Sequence, residues 1–121
     1  MQQTMTEIAK RAAPGARVAS EIQSVAEYYA NRAHRPDLVC LELSDPEDLK
    51  RLQPGDFVID ARGRTYFSNQ AMLSRLRGAS RPAFTINVGA TPAADVYVLD
   101  QKSLAALRGE QLAKLAADER G

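Results

Sequence analysis

The sequence predicts an α/β (or α+β) protein built on a single mixed sheet of about five strands, with helices packed on at least one face. Three observations carry that prediction. Short apolar or alternating runs, LVCLEL, FVID, AFTINV and DVYVL, have the length and composition of strands. Segments with apolar residues at steps of three and four lie between and around them. Turn signals such as APGA, HRPD, QPGD and GATP separate the two kinds of segment. The resulting order is α-α-β-α-β-β-α-β-β-α.

In chain order, TMTEIAKRAA opens with Thr4 and Glu7 at capping-box spacing, followed by a stripe of Met5, Ile8 and Ala12. So short a helix is marginal unless it docks on something. Residues 1–15 are therefore read as an N-terminal arm on a globular core of residues 16–121. The next helix is read over SEIQSVAEYYANRA, with Ser20 and Gln23 as its capping pair. Val18, Ile22, Val25, Tyr29 and Ala33 would form its inward face, and Ser24, Glu27 and Asn31 its wet one. Pro36 disfavours a helical Arg35 and ends it, with His34 in a C-terminal capping role.

LVCLEL (38–43) reads as a mostly buried strand. SDPEDLKRL reads as a short helix with Asp45 at the N-cap, Pro46 at the first position and two acids at the positive end of the dipole. FVID and RTYF flank D-A-R-G, a type I turn with a glycine bulge, which places Arg62 and Arg64 at a hairpin tip. SNQAMLSRLRG follows as a helix capped by Ser68 or Asn69 and stopped by Gly78. AFTINV alternates as a half-buried strand, GATPAA reads as a loop, and DVYVL as a strand antiparallel to AFTINV. Asp100 caps a last helix. An unbroken helix there would put Arg108 amid Leu104, Leu107, Leu112 and Leu115, so a break at Gly109 is expected.

Composition narrows function. The 121 residues suffice for one domain with a real core of Leu, Val, Ile and Ala. The single cysteine, Cys40, excludes an internal disulfide and reads as a buried, inert thiol. No apolar run approaches the roughly 18 to 20 residues that cross a bilayer. The first twenty residues lack the apolar core of a secretory signal, so a cytoplasmic setting is expected. The alanine- and arginine-rich usage fits a GC-rich bacterial genome.

The net charge of +1 hides a pattern: residues 37–50 hold five acids and one base, and residues 51–81 hold six arginines and two aspartates. A nucleic-acid interface would use Arg51, Arg62, Arg64, Arg75, Arg77 and Arg81, with Tyr66 and Phe67 as stacking groups. Against it, Arg75 and Arg77 lie about 160° apart on a helix flanking Met72, Leu73 and Leu76, so they form no single ridge.

Enzyme chemistry has less behind it. One histidine and one cysteine, far apart, give neither a zinc site nor a nucleophile–base dyad, and no glycine pattern cradles a phosphate. No cofactor is expected. Asp45 with Asp60-Ala61-Arg62 follows, loosely, the order of acids and base that a Mg²⁺-dependent nuclease needs. However, Arg stands for Lys, and Asp60 serves better as a turn former. Asp56 with Asp60 as an acid/base pair is no stronger.

The sequence therefore favours a small non-catalytic protein-interaction or regulatory module, with an unknown protein or a second copy as partner and no membrane. Its candidate contacts are Met5 and Ile8 on the arm and Leu104, Leu107, Arg108, Leu112 and Leu115 near the C-terminus. The bland alternative is that both segments simply pack on the sheet. Nucleic-acid binding through the arginine hairpin is second, and a Mg²⁺-dependent nuclease third.

Overall fold

A computed structural model describes residues 1–61 and 69–109. A single mixed sheet organises them, in the order β2-β1-β3-β5-β4. Its strands are β1 (Arg17–Ser20), β2 (Val39–Glu42), β3 (Phe57–Ala61), β4 (Phe84–Val88) and β5 (Thr91–Val98). The helices are α1 (Gln2–Arg11), α2 (Gln23–Arg32), α3 (Pro46–Leu49), α4 (Gln70–Ala79) and α5 (Gln101–Arg108). β1 pairs in parallel with β2 on one side and β3 on the other, while β5 is antiparallel to both β3 and β4. The α/β prediction holds, with helices on both faces.

Alternation along the strands sorts the core into two halves. Val18, Cys40, Phe57, Ile59 and Val96 face α1 and α2, where Met5, Ile8, Ala26 and Ala30 meet them. Ala19, Leu41, Val58, Tyr97 and Leu99 face the other way, onto Met72, Leu73 and Leu76 of α4 and Leu104 and Leu107 of α5.

Several expectations fail, each for a physical reason. RVAS is not the entry to a helix but β1, the strand between β2 and β3, so Val18 serves a sheet and not the α2 face. Helix α2 begins later, with Ile22 at its N-cap and no side-chain cap, so Ser20 and Gln23 form no capping box. Its buried positions are the small Ala26 and Ala30, which let it lie close to the sheet, and Ile22 is exposed. Helix α1 begins at Gln2 without a side-chain cap. Thr4 is buried inside it, and Glu7 instead pairs with Lys10 and Arg11. Gly78 lies within α4, and Asn69 is its N-cap without donating or accepting a capping bond.

GATPAA is not a loop either. Gly89 and Ala90 form a tight turn, with Gly89 at positive φ, and β5 starts at Thr91. Pro92 sits opposite Asn87 of β4, beside the bulge in that ladder, a place where a strand accepts proline. FVID has β5 along one edge and β1 beside Phe57 and Val58 on the other. The expected pairing of FVID with RTYF thus meets a strand flanked on both sides over those two residues. Residues 62–68, with the turn expected around Arg62 and Arg64, lie outside the described residues.

Other readings stand. Asp45 caps α3, accepting from the Glu47 amide at 2.9 Å. Asp100 and Ser103 form a reciprocal capping box on α5, which ends at Gly109 with φ 69°. A side chain at Gly109 would also crowd the Arg75 guanidinium, so glycine suits the site by its room as well as its positive φ. His34 follows the C-cap of α2 at φ 60°. Its amide donates to Asn31 and that of Arg35 to Ala30, the paired bonds of a left-handed helix stop.

Candidate functional site

The described arginines and acids are largely spent on holding the fold. Three arginines each close the C-terminal carbonyls of a different helix, where a cation meets the negative end of the dipole. Arg35 donates to Ala9, Ala12 and Ala13 at the end of α1. Arg108 donates to Leu49, Lys50 and Leu52 around the end of α3. Arg75 donates to Ala106 and Leu107 at the end of α5. Arg17 lies 3.6 Å from Asp56, whose carboxylate also accepts from the Gln53 and Arg17 amides and so shapes the turn into β3.

The densest polar cluster lies on the α4/α5 face. Asp60 of β3 and Asp95 of β5 are directly opposed across the ladder, at 1 % and 5 % exposure. Helix α4 swings Arg77 over them, and its guanidinium grips Asp60 at 2.7 and 3.1 Å. That hydrogen bond is the main reason Arg77's pKa is raised above the ordinary arginine value. Thr85 of β4 donates to Asp95 at 2.7 Å. Two buried carboxylates side by side would repel, and the fork of Arg77 and the hydroxyl of Thr85 offset that repulsion.

In the sequence Asp60 reads as a turn former, and Asp95 goes unnoticed. The available signal was Asp95 itself, the acid at an inward position of an otherwise apolar run. Asp60 is thus engaged inside the fold and Asp45 at the exposed N-cap of α3, and no group of three metal-ligating side chains occurs among the described residues.

Among the described residues, most of the predicted nucleic-acid contacts are engaged by groups of this chain. Arg75 faces α5, Arg77 faces Asp60, Arg51 lies 3.8 Å from Asp48, and Arg81 is exposed before β4. Arg62, Arg64, Tyr66 and Phe67 lie outside the described residues.

Of the predicted partner contacts, Met5, Ile8, Leu104 and Leu107 are buried within this chain. Arg108 is the α3 clamp, and Leu112 and Leu115 lie outside the described residues. The four buried side chains belong to this chain's own core.

The parallel strands run in the order 2-1-3, so a crevice beyond the carboxyl ends of β1 and β3 is where such sheets bind ligands. Here the N-terminus of α2 is already served internally: Glu42 accepts from the Gln23 amide at 3.2 Å and the Gln23 side chain donates to Cys40. An incoming anion would meet a carboxylate. Ser20, at the end of β1, has a fully buried hydroxyl with no hydrogen-bond partner among the described residues.

The most exposed large apolar side chain among the described residues, Val88, lies on a ribbon. Asn87–Val88 of β4 pair with Thr91–Pro92 of β5 at the turn end of the hairpin, where Asn87, Val88, Thr91 and Pro92 are all exposed. Val88 is 70 % exposed at its tip. From Ala83 to Ala94 there is no charged residue.

One titration follows from the exit of α2. Asp37 accepts from Arg35 and from the Gly15 amide, and the Arg35 hydrogen bond above all holds its carboxyl well below the usual range. A depressed folded-state pKa contributes stability above the unfolded value, near about 3.9, and loses it as pH falls toward the folded one. The urea midpoint should therefore fall between about pH 5 and pH 2, and Asp37→Asn should flatten that slope. An unchanged slope in the variant would refute the assignment.

No protein-family model, curated protein or solved structure matches the chain. Function has to be read from geometry.

Proposed function

We propose that the protein acts by protein–protein contact, as a small non-catalytic interaction or regulatory module, and that its contact surface is the β4–β5 ribbon. The observation that carries the reading is the ribbon's uncharged, exposed tip at Val88. Exposed apolar surface at a strand end fits a protein partner, whereas a polyanion needs clustered positive charge. The hydrogen bonds that tie Arg75 to α5 and Arg77 to Asp60 support the same choice.

No helix among the described residues is long and apolar enough to cross a membrane. An intracellular setting belongs to the proposal.

The test sets two readouts against each other. A photo-crosslinking amino acid at Val88 is expected to give protein adducts of defined mass in cells, and the same group at exposed Tyr28 is expected to give none. Mixed-sequence DNA and RNA, titrated at two salt concentrations, are expected not to bind. Salt-sensitive binding weakened by Arg62→Ala, Arg64→Ala and Arg81→Ala, with no adduct at Val88, would replace this reading with the nucleic-acid one.

A further inference from the structure

We propose that two copies of this chain pair antiparallel along β4, joining their sheets into one across a twofold axis at Ile86; this rests on the ribbon being the contact surface. Both end strands of the sheet, β2 and β4, have a ladder partner on one side only among the described residues. Natural edges are guarded against pairing by charge, proline, brevity or a bulge.

β2 shows such guards. It is four residues long and ends in Glu42. β4 shows none over Phe84–Val88. It has no charge, no proline and no glycine, and the irregularity in its ladder falls on the other strand. Ile86 faces Ala94 and Asn87 faces Pro92, so Ala93 is the extra residue and β4 itself runs unbroken.

The sequence of β4 complements itself when reversed. With Ile86 opposite Ile86 of the second copy, Phe84 meets Val88 and Thr85 meets Asn87. Apolar side chains then share the α1/α2 face, and polar ones share the face of Asp95. Phe84 and Ile86 are only partly buried on their own chain, and Val88 is mostly exposed. The pairing covers all three. A second copy is chosen over another protein because this match requires no residue outside β4.

Sedimentation of the full chain from low-micromolar to near-millimolar concentration tests the proposal. A monomer–dimer equilibrium is expected. Asn87→Lys with Val88→Lys, both at exposed positions, should raise its dissociation constant at least about tenfold, since the second of these ammonium groups would be set against Phe84 of the other copy. The register has its own test in a Cys40→Ala background. Ile86→Cys should form an intermolecular disulfide on mild oxidation. Thr85→Cys should not, because its symmetry mate lies beyond disulfide reach.

A monomer at every concentration would overturn the proposal. So would a dimer insensitive to the lysines, or equal crosslinking at both cysteines. If the chain is monomeric yet Val88 still crosslinks to a different protein in cells, self-pairing fails and the interaction reading survives. If Val88 gives no adduct and the chain is monomeric, both fail.

Discussion

Arg77→Met is expected to lower the unfolding free energy by about 2–4 kcal/mol, because it strips a buried carboxylate of its guanidinium beside a second carboxylate. The lower part of the range for broken buried pairs applies, since the Arg77 side chain is itself 47 % exposed and part of its interaction is screened by water. Asp60→Asn should cost less, about 1 kcal/mol. It removes one charge of the facing pair and leaves Arg77 free to turn to solvent. Urea denaturation of the two variants reads this asymmetry. Equal losses, or a larger loss for Asp60→Asn, would mean that the cluster is held by something other than the Arg77 fork.

Arg108→Ala should cost about 2–3 kcal/mol, from the loss of charge-assisted bonds to three backbone carbonyls. Arg108→Lys should recover less than half of it. An ammonium is a single point of charge with three donors, and it cannot span carbonyls that a planar fork reaches together. The measurement is chemical denaturation of both variants, and full recovery by lysine would show that charge alone is at work. Leu49 and Leu52 would lose part of their cover in the alanine variant, so amide exchange around α3 should quicken first.

The strands that announce themselves through composition were legible: LVCLEL, FVID, AFTINV and DVYVL all appear as β2, β3, β4 and β5. β1 was not. A four-residue strand with one bulky apolar residue has no period of its own, and Val18, Ile22 and Val25 mimic helical spacing by accident. Thr91–Ala93 was missed because glycine and proline mark loops, and only the pairing with Asn87 and Val88 shows that the strand runs through them.

The helix ends were partly legible. Asp45, Asp100 and Gly109 act locally and could be read, whereas Arg35, Arg75 and Arg108 reach carbonyls distant in sequence and could not. Met5, Ile8, Leu104 and Leu107 were recognised as apolar stripes. What covers such a stripe is a tertiary fact, and it is this chain's own sheet. Likewise the meeting of Asp60 and Asp95 depends on the register of β3 against β5.

The central place of β3 has a consequence for synthesis of the chain. Its first partner, β1, precedes it, but its second partner is Ala94–Val98 of β5. While the intervening residues are still being made, a nascent chain holding β1, β2 and β3 presents the apolar edge of Phe57, Val58 and Ile59 with nothing to fill it. Such an open edge is where misassembly begins. The β4–β5 hairpin is the local element that closes it, so its rapid formation protects the emerging protein. Substitutions that slow the Gly89-Ala90 turn would then lower yield in the cell more than they lower the stability of the finished molecule.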